Sequence, residues 1–156
     1  MLTWSAALPE VAFARGEVLI REGEAHGRLF VLVDGEVEIS RAGTRITTVD
    51  VPGAVFGEMS ALLGAAATAT VRALRDSRLR RSDDPNAFLA DPRVARAVAT
   101  MLARRLDTIN GYLVDLRRQY DDHGNLGMVD VVLESLRHHQ VRSVEPGSER
   151  QQDAPY

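Results

Sequence analysis

The hydrophobic period of this chain changes once, near Asp84, and that change limits the fold more than any other feature. Upstream, "GEVLIREGE", "RLFVLVDGEVEIS" and "TRITTVDVPG" are short β-branched runs separated by glycine-rich turns. Downstream, Leu102, Leu106, Ile109, Leu113, Leu116 and Tyr120 recur in steps of four and three, one stripe of a helix spaced like a coiled-coil seam. Many short strands at regular turn spacing predict a barrel or jelly roll, followed here by helices. The expected class is therefore mainly β with C-terminal α.

Within the β portion, Leu29, Val31 and Val33 face one way in an extended chain, and Val37 and Ile39 do so after Asp34-Gly35. That Asp-Gly pair predicts a hairpin, because glycine tolerates positive φ. Ile46 and Val49 break strict alternation, which predicts a bend or bulge. A last β segment is expected from Thr68 to about Leu79, and a short helix around Leu2 to Leu8. Asp84 and Asp91 precede Pro85 and Pro92, the pattern of two capped helix starts. "DDHGN" at 121–125 stops the long helix, and a second amphipathic segment places Leu126, Val129, Val132, Leu133 and Leu136 on one side. The expected organisation is a β domain with its long helix over 1–120, an accessory helix over 121–140, and a polar, disordered tail over 141–156.

With 45% apolar residues in 156, the chain is long enough to bury one core. It contains no cysteine, which excludes disulfides and thiolate chemistry. A net charge of −3 argues against nonspecific nucleic-acid binding. No apolar run approaches a bilayer span, and "MLTWSAALPE" lacks the basic segment and apolar core of a signal peptide, so a cytoplasmic protein is expected. Only His26 lies in the β portion, as a turn residue beside Gly27; His123, His138 and His139 fall in or beyond the helices, so a three-histidine metal site is not expected. No serine elbow, P-loop or dinucleotide fingerprint occurs, and Asp83-Asp84 suit a helix start. Catalysis is not expected.

The order "GEVLIREGE", "LFVLVDGEVEI", "VPGAVFGEMSALLG" and "TATVRAL", followed by a long helix, resembles the cyclic-nucleotide-binding domains of the catabolite-activator and fumarate-nitrate-regulator superfamily, over roughly residues 10–120. The resemblance implies a double-stranded β-helix jelly roll (a β-roll) carrying a short phosphate-binding helix and flanked by helices that transmit ligand occupancy. The family pattern F-G-E-x-S-x-L-L is met by Phe56, Gly57, Glu58, Ser60, Leu62 and Leu63. The resemblance assigns Glu58 to a ribose hydroxyl. Gly57, Glu58, Met59, Ser60, Ala67 and Thr68 form the candidate ligand site.

The family's phosphate-pairing arginine falls at Ala67, while Thr68 and Ala69 keep the positions after it. A guanidinium presents a fixed fork of donors to two phosphate oxygens. Each charge-assisted bond contributes roughly 1.5–3 kcal/mol, so its loss weakens binding by a factor on the order of 10² or more. Amides of a short helix opening near Ser60 or Ala61 still attract an anion, less strongly. Alternation puts Arg72 on the opposite face, and nothing in the sequence brings Arg28 or Arg41 inward. Two readings stay open. In one the pocket is vestigial, "AAATA" fills a packed interior, and no cofactor is used. In the other the chain is a weak sensor of cAMP, cGMP or another small ligand.

The expected function is a stand-alone regulatory or scaffolding module. The stripe Leu102, Leu106, Ile109, Leu113, Leu116 and Tyr120 is the candidate homodimer seam, and residues 126–136 are a candidate surface for a protein partner. After Tyr120 the sequence shows no helix-turn-helix, and "LRRQY" is followed directly by Asp121 and Asp122, so direct DNA contact is not expected. Nor is membrane binding.

Overall fold

The computed structural model describes residues 3–120 together with 131, 132, 134 and 135. It divides into two units, Met1–Ala103 and Arg104–Tyr156. The first holds two four-stranded antiparallel sheets. One is ordered β1 (Glu10–Phe13), β8 (Ser77–Ser82), β3 (Leu29–Asp34), β6 (Val55–Phe56); the other β2 (Val18–Ile20), β7 (Thr70–Ala73), β4 (Val37–Arg41), β5 (Thr44–Val49). Two short helices, α1 (Glu58–Leu63) and α2 (Pro85–Leu89), and the first turns of α3 (Pro92–Tyr120) complete it.

β3 explains the arrangement, because its sequence is apolar on both faces. Phe30 and Leu32 join a cluster with Leu19, Ile20, Val37, Phe56, Ala67, Val71, Ala73 and Leu79. Leu29 and Val31 point the other way, onto Val55 and onto Val94 and Val98 of α3. A strand covered on both sides needs a continuous apolar run, and "LFVL" supplies it. Trp4 and Phe88 close the second cluster, ring centroids 5.9 Å apart.

Three expectations need correction. Asp34-Gly35 does not close a hairpin, since β3 pairs with β6 and β8 while β4 pairs with β5 and β7. The turn carries the chain from one sheet to the other. Gly35 is needed there because it is buried at φ 131°, and a Cβ would sit 2.2 Å from Ser77 Oγ and 2.7 Å from Ser77 Cα. The tight hairpin joins β4 to β5 through Ala42 (φ 49°) and Gly43 (φ 75°), with Arg41 opposite Thr44. Second, the stretch from Thr68 is two strands in different sheets, β7 and β8, broken at residues 74–76. Third, the N-terminal helix is only a 3₁₀ turn, Thr3–Ser5.

Other readings hold. Ile39 faces Thr47 and Ser40 faces Arg45, so Ile46 is the extra residue of a bulge. Asp84 Oδ1 accepts from Ala87 N–H at 3.0 Å and Asp91 Oδ1 from Arg93 N–H at 2.8 Å, each at a helix start with proline behind it.

In the second unit the apolar stripe of α3 meets water. Leu106 (44%) and Ile109 (54%) are exposed, and Leu113 and Leu116 are half-buried. Leu102, in the first unit, packs on the second cluster. Val131, Val132, Glu134 and Ser135 are helical, with both valines exposed. Leu126, Val129, Leu133 and Leu136, the tail from 141, His123, His138, His139 and the Tyr120 side chain lie outside the described residues. No helix among the described residues is long and apolar enough to cross a membrane.

Candidate functional site

Gly57 sets the position of α1. It precedes the helix at φ 90°, and a Cβ there would lie 2.5 Å from the Arg28 carbonyl oxygen and 3.1 Å from His26 Cε1. Only glycine permits that backbone and that approach. The start of α1 is thereby pressed against His26 and Arg28, in the connection between β2 and β3. The helix opens at Glu58, earlier than Ser60 or Ala61, and ends at Gly64 (φ 61°), whose N–H donates to the Ser60 carbonyl.

The six candidate ligand residues divide between different surroundings. Gly57 and Ser60, with Ala61 and Gly64, follow helical spacing along one side of α1 and line a cavity of about 360 Å³. Glu58 lies on another side and is buried, 3% exposed. Met59 is exposed, and the Thr68 hydroxyl lies 4.0 Å from its sulfur. Ala67 is 5% exposed and sits in the first apolar cluster. Its backbone is tied on both sides: its N–H donates to the Glu24 carbonyl at 3.0 Å and its carbonyl accepts from Gly23 N–H at 2.8 Å. These bonds turn the methyl inward, among Leu19, Ile20, Phe30 and Phe56.

The cavity also gathers residues that sequence reasoning did not place there. His26 and Arg28 come from the β2–β3 connection, and Pro85 and Asn86 from the start of α2. Thus one of the two distant arginines does reach α1, although on the Gly57–Ser60 side. The Arg28 guanidinium contacts Asp83 at 3.8 Å. Arg41 is the exposed last residue of β4, and Arg72 is exposed with its guanidinium 3.5 Å from the Gly16 carbonyl. The only local signal for the loop was glycine: Gly27 (φ 57°) follows His26 and turns Arg28 back, so that its N–H donates to His26 Nδ1 at 3.1 Å.

That bond fixes the imidazole tautomer. With Nδ1 accepting, the ring proton of neutral His26 lies on Nε2. Burial, reinforced by Arg28 and opposed by Glu24, holds the imidazole below its ordinary range. The neutral ring therefore presents a donor, and Nε2 is buried without a hydrogen-bond partner. Among the described residues no group of three histidine, aspartate or glutamate side chains that could hold a metal ion occurs.

Residues 10–86 match the model of the family described as "Cyclic nucleotide-binding domain". A CRP-like cAMP-activated global transcriptional regulator of Mycobacterium tuberculosis is 30% identical over 116 residues, covering 70% of this chain and 52% of that protein. This chain thus spans about half the length of that relative. Among solved structures, the N-terminal domain of a transcriptional regulator from Streptomyces coelicolor is 32% identical, covering 70% of this chain and 81% of that one, with a TM-score of 0.51. A cAMP-bound PfPKA-R is 27% identical over 70% of this chain and 37% of its own, with a TM-score of 0.56. The family match encloses both sides of α1, the β2–β3 connection and the start of α2.

Proposed function

We propose, since the chain belongs to the cyclic nucleotide-binding domain family, that it is a non-catalytic regulatory module whose ligand is a cyclic nucleotide held weakly on the Glu58 side of α1. The observation that supports this reading is the geometry of α1: a left-handed Gly57 leading into a buried Glu58, with Thr68 beside Met59. The cAMP-activated relative and the cAMP-bound structure support it. They weigh against the expectation that a cyclic nucleotide is disfavoured. Affinity is low because a methyl at Ala67 offers no donor to the phosphate. The resemblance gives Glu58 the ribose hydroxyl and leaves Thr68, after the vacant arginine position, beside the phosphate. The two sheets then act as the β-roll wall of this site.

Calorimetry of the full chain with cAMP and cGMP tests the proposal. Saturable binding with Kd above about 1 µM, weakened at least tenfold by Glu58→Gln, is expected. Submicromolar affinity would mean that another side chain neutralises the phosphate. No saturation would favour a second reading, a vestigial pocket, for which Ala67 packed among Leu19, Ile20 and Phe30 is the supporting observation.

The output belongs to the same proposal. The exposed α3 residues Leu106 and Ile109, with Leu113 and Leu116, form a seam for a second copy. Residues 126–136 offer a surface to another protein, the module makes no direct contact with DNA, and it works in the cytoplasm.

A further inference from the structure

We infer that the cavity between α1, the β2–β3 connection and α2 is a second ligand site, taking a small organic anion with a compact apolar body. It differs from the proposed cyclic-nucleotide position in its lining, which shares Gly57 and Ser60 but lacks Glu58, Met59, Ala67 and Thr68. Its volume of about 360 Å³ suits a small molecule.

The lining decides the chemistry. Arg28, His26, Ser60 and Asn86 are the lining residues with polar side chains. Arg28 makes no side-chain hydrogen bond among the described residues; its one ion contact, with Asp83, is long at 3.8 Å. Asp83 is already engaged by Arg81, whose Nη2 donates to Oδ2 at 3.1 Å, so the Arg28 fork is only loosely held. His26 adds no donor, because Nδ1 accepts from the Arg28 backbone N–H and Nε2–H is buried out of a ligand's reach. A cation, a hydroxyl and an amide NH₂ make a donor set matched to an anion with several oxygens. Between them the walls are Ala25, Ala61, Ala65, Ala66 and Pro85, which suit apolar surface.

The nearby acids Asp83, Asp84 and Glu24 each have a partner outside the cavity lining. Asp84 Oδ1 is committed to the Ala87 N–H, and Glu24 pairs with Arg21 at 3.4 Å.

Benzoate and its neutral isostere benzamide test the site on the full chain, by ¹H–¹⁵N shift perturbation. Saturable benzoate shifts centred on the amides of Gly27, Arg28, Ser60 and Ala65 are expected, with benzamide at least tenfold weaker. Arg28→Met, at an exposed side chain, should weaken benzoate at least tenfold, and Ala65→Phe should block it while circular dichroism stays unchanged. Saturating cAMP should leave benzoate bound, and Glu58→Gln should not affect it, so this site and the cyclic-nucleotide site succeed or fail separately. No saturation by benzoate, equal binding of benzamide, an unaffected Arg28→Met protein or displacement by cAMP would each overturn the inference.

Discussion

At the scale of single residues, position 67 carries the most consequence. A methyl there is tied by backbone bonds to residues 23 and 24 and packs in the apolar cluster. Ala67→Arg should destabilise the ligand-free protein by about 1–3 kcal/mol, because it overpacks that cluster and brings a charge into it. It should also tighten cAMP binding by a factor on the order of 10² through restored charge-assisted bonds. Thermal unfolding with and without cAMP measures both, and an unchanged affinity would remove Ala67 as the cause of weak binding. Asp91 makes a pH-dependent prediction. Hydrogen bonds from the Arg93 side chain and backbone N–H draw its pKa from 3.8 down to about 2. A carboxylate more acidic in the folded state than in the unfolded one stabilises above the unfolded value and loses that contribution as pH falls toward the folded one. Between about pH 4 and 2 the urea midpoint should therefore fall less steeply in Asp91→Asn than in the parent protein. Equal slopes would show that the surface pair contributes nothing, as solvent screening often ensures.

At the scale of elements, β3 and β8 hold the first unit together. They pair from Leu29 opposite Ser82 to Asp34 opposite Arg78, and both Leu32 and Leu79 are fully buried. Leu79→Ala should cost about 2–5 kcal/mol in urea unfolding, the range for a buried leucine whose space cannot collapse. A smaller loss would mean that the first cluster relaxes around the hole. The edge strand β5 is the counterexample: Thr44–Thr48 are all exposed, and Ile46 (59%) bulges toward water. The broken alternation at Ile46 and Val49 predicted the bulge in this strand. It could not show which neighbour it pairs with. Asp34-Gly35 makes the same point, because its chemistry specifies a sharp turn and a sharp turn serves a crossover as well as a hairpin.

At the scale of the whole molecule, the question is what covers the α3 stripe. Leu106 and Ile109 are exposed apolar residues in the second unit, Leu113 and Leu116 are half-buried, and the spacing of the four fits a partner helix. A homodimer by sedimentation is expected for the full chain, and Leu113→Asp should give a folded monomer. A monomer in both would assign the stripe elsewhere.

The sequence by itself determined the division into strands and helices, the caps at Asp84 and Asp91, the bulge near Ile46 and the family pattern through "FGEMSALL". Those features depend on residues close along the chain, whose periodicity and turn chemistry act locally. Only the tertiary structure decided that β3 and β4 belong to different sheets, that Ala67 faces an apolar cluster, and that His26, Arg28 and Asn86 meet α1 around one cavity. Such arrangements come from contacts between segments far apart in sequence. A short polar loop carries no period from which its distant neighbours can be read.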